Sequence, residues 1–441
     1  MNSPLHYGGN GYGSLGWLWQ RSNLPCRSDL VRGPLHAPAR SKPEGLAYLV
    51  AEFPAANHNY LLGEIAGLRA AGLDVRVVSV SPSNQPPAQQ GVLGREEGKR
   101  AYYIKATRPW AALACIVVTG LYRPRGFCAG LWYAVEIAGW RGAFYFAEAV
   151  LLGHWMQRNG LSHVHAHFAA SVALITAKIF PQIAASFTAH GYGEFYAQSS
   201  FTLSKKVMAS TFARSISHIG RANLMLAAPP HLWPRIICSP LGIAPTSFRR
   251  VIPSTNALTL RISCVGRLSP EKGNRILLEA VSILVHQGLA LHLRLIGDGP
   301  DLKQLQQTAA ILGIADHVSF DGWIGADEML AIYAETDVVA MASLYEGIPI
   351  VLMEAMSMGI PCIAPRVGGI AELIEDGVSG LVFNPGQPEE LAGDIRRLAE
   401  STELRTRMGE RARERVLRNY DITANTANFA KVLRKFWAPP S

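Results

Sequence analysis

Apolar and amphipathic segments alternate through most of the chain, and this alternation predicts a succession of strands and helices. An apolar run at 46–50 is followed by an amphipathic stretch over 61–71, then by Gly72 and a second apolar run at 75–80. Strand, helix and strand in this order form a βαβ unit, which requires a parallel sheet covered by helices. The pattern therefore predicts a Rossmann-like domain that begins near Gly45.

The first block of alternation continues to a strand whose carboxyl end lies where ligands of such sheets bind. A strand is predicted at 163–167, a helix at 170–179, and a strand at 183–188 that runs into His190 and Gly191. Ligands of parallel α/β sheets bind at the carboxyl ends of the strands. His190 is therefore a candidate functional residue, although a histidine that caps a helix or packs in the core is the alternative.

A second block of alternation follows an aperiodic segment at 249–257, which we interpret as an interdomain linker. It begins with a strand at 260–265 and alternates regularly with helices up to a strand at 362–364. A chain of 441 residues is also too long for one ordinary core. We therefore expect an α/β protein with two Rossmann-like domains.

Four parts of the chain are expected from these patterns. They are an extension at 1–44, expected to be disordered; an N-terminal domain at 45–250; a C-terminal domain at 251–422; and a last segment at 423–441.

Charge is distributed unevenly between the two blocks. Residues 1–245 contain 22 Lys and Arg against 10 Asp and Glu, whereas the remaining residues contain 20 against 23. An excess of positive charge beside an apolar stretch suits an anionic lipid surface better than base recognition in a nucleic acid. A basic face that merely contacts water is the alternative.

The apolar stretch itself is too short to cross a bilayer as one helix. Its longest run, 110–121, falls below the roughly 20 residues that a spanning helix needs. The segment 126–152 contains charges and predicts a partly buried or interfacial helix pair, with ordinary core helices as the alternative. Since the six cysteines form no C-x-x-C pair, we expect a cytoplasmic protein, with peripheral contact at an anionic plasma membrane as a hypothesis.

Two cations occupy a predicted strand-to-helix connection at 265–273. Arg267 and Lys272 project from it, and the following helix begins with exposed backbone N–H groups. Fixed cations beside a helix N-terminus form a diphosphate site without a glycine-rich P-loop. Two basic residues in one loop are common, so this motif carries weight only in its context.

Two glutamates eight positions apart are the clearest chemical feature of the chain. Glu346 lies in a loop before Gly347, Ile348 and Pro349, and Glu354 lies about two turns into the following helix. Carboxylates accept hydrogen bonds from sugar or ribose hydroxyls, and the helix N-terminus between them favours phosphate. A chance pair, with one member on a solvated helix face, is the alternative.

Other glycine turns and acidic residues in the second block give weaker signals. Gly368 and Gly369 follow a strand and permit close backbone approach to a ligand, although a simple tight turn is equally consistent with them. Gly297 and Gly299 we interpret as structural. No D-x-D triplet occurs that could hold Mg²⁺ or Mn²⁺ against a diphosphate. We therefore expect no metal and no cofactor, only a co-substrate.

These motifs together resemble retaining glycosyltransferases of family 4. The resemblance rests in the second block on Gly266-Arg-Leu-Ser-Pro-Glu-Lys-Gly273, Glu346-Gly-Ile-Pro-Ile-Val-Leu-Met-Glu354, Gly368-Gly-Ile-Ala-Glu-Leu-Ile374 and Gly377-Val-Ser-Gly-Leu-Val-Phe383. In the first block, His163-Val-His-Ala-His-Phe168 and Ser186-Phe-Thr-Ala-His-Gly191 are similar to the colanic acid and exopolysaccharide branch. The resemblance implies the B-type glycosyltransferase fold, in which the two domains face a deep interdomain cleft and the last helix, at 423–441, returns to the first domain. It also implies a nucleotide-sugar donor bound by the C-terminal domain and a lipid-linked or soluble saccharide acceptor bound by the N-terminal domain.

The resemblance also implies roles for individual residues. Glu354 would bind the nucleotide ribose, Glu346 and the backbone of 347–349 would hold the donor sugar, and Arg267 with Lys272 would bind the diphosphate. His190 would contact the sugar near the reacting bond. No side-chain nucleophile is then needed, because the leaving phosphate takes the acceptor proton. The implied catalytic set is His190, Glu346, Arg267 and Lys272.

The acceptor side departs from the family pattern. The first loop carries Asn57 and Asn59 where relatives often have glycine or hydroxyl residues, and Glu194 stands near the position of an aspartate that pairs with histidine in many relatives. Amide groups both donate and accept hydrogen bonds, so the two asparagines could replace hydroxyl contacts. These departures leave the identity of the acceptor open.

Two other classes of function remain as alternatives. A non-catalytic homologue that binds a nucleotide sugar and stabilises a partner is supported only by the altered acceptor loop. A dinucleotide dehydrogenase would carry G-x-G-x-x-G after the first strand of a Rossmann-like half, and neither half does.

Overall fold

The computed structural model describes residues 45–55, 59–86, 90–191, 195, 202–244, 247–248 and 259–437. All of these belong to one compact unit of the chain. The extension predicted at 1–44 and the linker predicted at 249–257 lie outside the described residues.

The first sheet contains seven parallel strands in the order β3-β2-β1-β4-β5-β6-β7. They are β1 (Gly45–Phe53), β2 (Asp74–Pro82), β3 (Tyr102–Tyr103), β4 (His163–His167), β5 (Ala184–Ala189), β6 (Ala213–Ser215) and β7 (Ile236–Cys238). The direction of winding reverses between β1 and β4, which makes this the topological switch point where ligands of such sheets bind.

Helices cover both faces of the first sheet because its strands alternate between two cores. Leu46 and Tyr48 point to one core and Ala47 and Leu49 to the other. The helices are α1 (Asn59–Ala70), α2 (Val92–Arg100), α3 (Pro109–Tyr122), α4 (Pro124–Ala138), α5 (Gly142–Arg158), α6 (Ala170–Ile179), α7 (Leu203–Ala209) and α8 (His218–Leu226), with 3₁₀ turns at Ile104–Ala106, Gly139–Arg141 and Pro230–Arg235. The core that holds Ala47 and Leu49 is closed by α5 and α6.

The second sheet contains six parallel strands in the order β10-β9-β8-β11-β12-β13. They are β8 (Leu260–Val265), β9 (Leu291–Ile296), β10 (Val318–Gly322), β11 (Val338–Ala340), β12 (Cys362–Pro365) and β13 (Leu381–Phe383). Its switch point lies between β8 and β11. The loop with the two candidate cations and the loop with Glu346 therefore leave the two strands that flank it.

The helices around the second sheet alternate with its strands. They are α9 (Asn274–His286), α10 (Leu302–Ile311), α11 (Ala326–Glu335), α12 (Ile350–Ser357), α13 (Ile370–Leu373), α14 (Pro388–Glu400) and α15 (Thr402–Asn419), with 3₁₀ turns at Pro270–Lys272 and Ala315–His317. The two sheets confirm the predicted α/β class with two Rossmann-like halves.

The last helix, α16 (Ile422–Lys435), packs against the first sheet rather than the second. Phe429 is fully buried in the core that contains Leu46 and Tyr48. A Cβ atom at Gly67 of α1 would lie 2.8 Å from Thr426, so the two helices meet with little space between their backbones. The domain boundaries near residues 250 and 422 stay predictions.

The described part of the chain holds no helix with the length and apolar character that crossing a bilayer requires.

Candidate functional site

An ion pair joins the two loops at the switch point of the second sheet. Lys272 Nζ lies 2.6 Å from Glu346 Oε1, and Ser343 Oγ donates a hydrogen bond of 2.7 Å to the same oxygen. Glu346 is 7% exposed, so its carboxylate is held between the loop after β8 and the loop after β11. The structure thereby brings together two candidate residues that are 74 positions apart in the sequence.

Glycines allow these loops to pack backbone against backbone. Gly273 has a φ of 59°, and a Cβ atom there would lie 2.1 Å from the carbonyl oxygen of Ala342. Gly368 has a φ of 49°, and a Cβ atom there would lie 1.7 Å from the carbonyl oxygen of Glu346. The Gly368 turn thus packs against the backbone of the Glu346 loop. This is the structural role that the sequence had left as an alternative to a ligand contact.

The turn at Gly297 and Gly299 has the structural role that we inferred from the sequence. A Cβ atom at Gly297 would lie 1.9 Å from the carbonyl oxygen of Gly266, and one at Gly299 would lie 2.2 Å from that of Leu268. The turn therefore presses on the loop that carries Arg267, whose own side chain is exposed.

Glu354 lies in the middle of α12 with its carboxyl group largely shielded from water. Burial raises its pKa to about 7, and a hydrogen bond of 3.2 Å from the Tyr333 hydroxyl to Oε2 opposes part of that increase in pKa. Ile348 is buried, and Pro349 immediately precedes α12 with extended backbone. The helix N-terminus therefore lies between the two glutamates, as predicted from their spacing.

His190 follows β5 and contacts two residues at the end of β4. Its Nε2 lies 2.8 Å from His167 Nδ1, and its ring stacks on that of Phe168 at a centroid distance of 4.3 Å. Phe168 has a φ of 62°, which is rare for a bulky residue and often marks a functional position. Its ring is 43% exposed beside His190.

A buried carboxylate, that of Glu64, lies next to His167. Glu64, on α1, accepts hydrogen bonds from the Tyr48 hydroxyl at 2.9 Å and from Arg214 Nη1 at 2.7 Å. Its Oε1 also lies 3.5 Å from His167 Nε2. Arg214 is 1% exposed, and its guanidinium lies 3.9 Å from the ring centroid of Phe429 on the last helix. The network therefore connects His190 to α1, β6 and α16.

Imidazole and hydroxyl groups alternate along β4 and β5 behind this network. Ser186 Oγ lies 2.7 Å from His163 Nε2 and 2.8 Å from His165 Nδ1, and Thr188 Oγ1 lies 2.7 Å from His165 Nε2. Burial lowers the pKa of His163 to about 4 and lowers that of His165 as well. Neutral imidazoles can therefore be accommodated here, because each has hydroxyl partners.

Sequence reasoning did not assign roles to Glu64, His167, Phe168 or Arg214. The signal for His167 was present, because histidines at every second position of a strand share one face. The signal for Glu64 and Arg214 was absent, since their pairing spans 150 positions.

Close contacts join the first half of the chain to the second near the site, and two of them involve its loops directly. A Cβ atom at Gly347 would lie 2.0 Å from the carbonyl oxygen of His190. The Glu372 carboxylate accepts hydrogen bonds from the backbone N–H groups of His218 and Ile219, at 2.8 and 2.9 Å, and so caps the N-terminus of α8. The loop of Glu346 and the strand end of His190 are therefore immediate neighbours.

The candidates on the acceptor side are not tested by the structure. Asn57 and Glu194 lie outside the described residues, and Asn59 is described only as the first residue of α1. Among the described residues, no group of three or more His, Cys, Asp or Glu side chains could hold a metal ion.

Residues 253–415 match the family model described as glycosyl transferases group 1. This match lies in the second half of the chain and spans 163 of its 441 residues. Alpha-D-kanosaminyltransferase of Streptomyces kanamyceticus is 32% identical over 39% of this chain and 44% of its own length. The colanic acid biosynthesis glycosyltransferase WcaL of Salmonella typhimurium, whose activity is described as putative, is 31% identical over 49% of this chain and 54% of its own length. The chain thus spans about half the length of these curated relatives.

Solved structures show that the chain has the B-type fold of glycosyltransferases. HepE of Anabaena, in complex with UDP, superposes with a TM-score of 0.69 at 20% identity, over 89% of this chain and all of that one. The fold implied by the sequence motifs is confirmed, and the family implied by them matches residues 253–415, where the motifs of the second block lie.

The contact between Gly347 and His190 predicts a strong effect of one added methyl group. Gly347→Ala should force the two backbones apart and lower stability by about 1 to 3 kcal/mol, which corresponds to a few degrees in Tm. The matched control is Gly266→Ala, because nothing lies within 4 Å of a Cβ atom at that position. Differential scanning fluorimetry of both variants checks this, and equal Tm values for the two would contradict the proposed contact.

The raised pKa of Glu354 predicts a pH-dependent stability. Its usual pKa is 4.5, and the folded protein keeps the proton up to about pH 7, so this group lowers stability progressively as pH rises through that interval. Glu354→Gln removes this penalty, which amounts to about 3 kcal/mol at most. The Tm difference between variant and wild type should therefore grow in favour of the variant from about pH 5 to about pH 8. Glu389→Gln, at an exposed site, should show no such change, and a pH-independent difference for Glu354→Gln would refute the assignment.

Proposed function

We propose that this protein is a retaining glycosyltransferase that moves a hexose from a nucleotide-diphosphate sugar to a saccharide or lipid-linked saccharide. The product would enter exopolysaccharide or other cell-surface polysaccharide assembly, in the cytoplasm or at the cytoplasmic face of the plasma membrane. The family match supports the reaction class, and the name of WcaL supports the pathway class. The observation that carries the proposal is the Glu346 carboxylate held by Lys272 beside His190.

On the donor side, each group has a role that its surroundings support. Glu354 would accept hydrogen bonds from the ribose hydroxyls, and Arg267 and Lys272 would neutralise the diphosphate. Glu346 and the backbone N–H groups of 347–349 would hold the sugar. A structure of HepE contains UDP-glucose, which supports a nucleotide-sugar donor for the proposal without fixing its base or sugar.

The proposed reaction needs no side-chain nucleophile. The bond between the anomeric carbon and the diphosphate oxygen breaks, and the acceptor oxygen forms its bond on the same face of the sugar. The acceptor proton passes to the departing phosphate oxygen, so charge develops on the diphosphate and transiently on the sugar ring. Lys272 and Arg267 would stabilise the former, since fixed charges in a pre-organised site stabilise a transition state without reorganisation.

Glu346 is better suited to positioning than to covalent attack. Its Oε1 already accepts from both Lys272 and Ser343, so that oxygen is committed to hydrogen bonds. A carboxylate so held can orient sugar hydroxyls, and it keeps Lys272 at the place where a phosphate would arrive.

On the acceptor side, His190 and Phe168 offer complementary surfaces. The imidazole would contact the sugar near the reacting bond, oriented by its hydrogen bond with His167. The exposed ring of Phe168 is suited to the apolar face of a sugar. Asn57, Asn59 and Glu194 remain the proposed acceptor-loop residues.

The proposal is tested by donor cleavage in the purified protein. The wild type, given UDP-, GDP- or ADP-sugars in turn, should release nucleotide diphosphate from at least one of them. Glu346→Gln should reduce kcat by about 100-fold or more, because it weakens both the sugar contact and the placement of Lys272. Glu389→Gln is the matched control, since it makes the same chemical change at an exposed site. Circular dichroism should show that both variants are folded.

Donor cleavage, measured together with the Tm in the presence of donor, distinguishes the glycosyltransferase from a non-catalytic homologue. If a donor raises the Tm of the wild type but no nucleotide diphosphate is released, with or without saccharide acceptors, binding without turnover is the correct function.

A second prediction concerns metals. Because Arg267 and Lys272 would meet the leaving-group charge, turnover should be unchanged in excess EDTA. The rate measured before and after chelation checks this, and a loss that added Mg²⁺ or Mn²⁺ restores would show that a metal carries that charge instead.

A further inference from the structure

The outer faces of α3, α4 and the start of α5 expose an unusual number of large apolar side chains. On α3 the exposed stripe follows helical spacing, at Trp110, Leu113, Val117 and Leu121. The opposite side, with Ala111, Cys115 and Thr119, is buried. Thr119 Oγ1 lies 2.8 Å from His154 Nε2, so the buried side faces α5.

The same surface continues onto α4 and the turn after it. The apolar side chains exposed there are Leu131, Trp132, Val135, Trp140 and Phe144. Trp132 and Trp140 are 74% and 75% exposed, and Trp140 makes an edge contact with Phe144 at a centroid distance of 6.2 Å. Contiguous apolar patches of this kind on a protein surface usually mark a site of interaction. We call these side chains on α3, α4 and 140–144 the outer apolar face.

The connectivity places one end of the outer apolar face near the candidate site. α3 begins just after the carboxyl end of β3 and runs toward the amino edge of the sheet, and α4 runs back to the carboxyl edge. α5 therefore begins at the carboxyl edge and runs to the amino edge, where β4 starts. Trp110, Trp140 and Phe144 therefore lie toward the carboxyl edge of the first sheet. That edge also carries His190.

Exposed arginines flank the outer apolar face. Arg108 precedes α3 and Arg141 precedes α5, while Arg125 lies in the first turn of α4. No ion pair to any of the three occurs within the described residues. The one acidic side chain between residues 105 and 147, Glu136, is neutralised by Lys205 at 3.0 Å.

We propose that the outer apolar face docks onto an anionic lipid bilayer. Tryptophans at the level of the headgroups, apolar side chains that enter the acyl boundary, and arginines at both ends are the features of interfacial helices. A second copy of the chain suits the face less well, because a two-fold contact through it would bring like charges together. Docking in this way would hold the carboxyl edge of the first sheet beside the lipid surface.

Vesicle binding of the full chain tests the proposal independently of any enzymatic activity. The wild type should co-float with vesicles of phosphatidylcholine containing phosphatidylglycerol, and should bind far less to phosphatidylcholine alone. The double variant Trp132→Ala with Trp140→Ala should weaken binding to the anionic vesicles by about tenfold or more. The double variant Arg108→Glu with Arg125→Glu should weaken it at least as much and abolish its dependence on salt.

The matched control changes equally exposed apolar residues elsewhere. Leu226 and Ile311 are 87% and 85% exposed, and lie on α8 and α10, away from the face. Leu226→Ala with Ile311→Ala should bind vesicles as the wild type does. Tm values should be unchanged in all three variants because every altered side chain is on the surface.

Three results would overturn the proposal. They are wild-type binding that does not depend on phosphatidylglycerol, tryptophan and arginine variants that both bind like the wild type, and a concentration-dependent dimer in light scattering that the tryptophan variant abolishes. The last result would assign the outer apolar face to self-association.

Discussion

The ion pair between Lys272 and Glu346 is the interaction on which the arrangement of the site depends. Its members leave the two strands that flank the switch point of the second sheet, so the pair fixes the separation of the two loops at the place where a ligand of this fold binds. At 7% exposure the Glu346 carboxylate has little water to solvate it, and removing Lys272 would leave this buried charge uncompensated. The turns at Gly273 and Gly368 stabilise the same arrangement through close contacts between backbone atoms of the loops.

A second buried carboxylate has the corresponding role in the first half of the chain. Glu64 is held by Tyr48 and Arg214, and through His167 it supports the ring of His190. Because Arg214 also packs on Phe429, the last helix contributes to the surroundings of a residue at the strand end. The final helix is thereby anchored to the first sheet by Phe429, which is buried in its core.

The sequence predicted the elements well where hydrophobic period alone decides them. The strands predicted at 163–167 and 260–265 and the helix predicted at 170–179 agree with the structure to the residue. The spacing of Glu346 and Glu354 also predicted their placement around a helix N-terminus. Their hydrogen-bond partners were beyond reach, since Ser343, Lys272 and Tyr333 become neighbours only when the loops and helices pack. The left-handed backbone of Phe168 could not be predicted either, because glycine is the residue that usually indicates this conformation in a sequence.

The approach of Gly347 to the carbonyl oxygen of His190 has a mechanical meaning. Side chains can yield to pressure by changing rotamer, whereas a peptide carbonyl against a glycine Cα cannot. The two halves of the chain are therefore in contact here through backbone atoms, which cannot move aside as a side chain can. We expect this non-bonded backbone contact to help set the separation of the two halves, so that side-chain substitutions elsewhere in the site leave the distance between the Glu346 loop and the strand end of His190 intact.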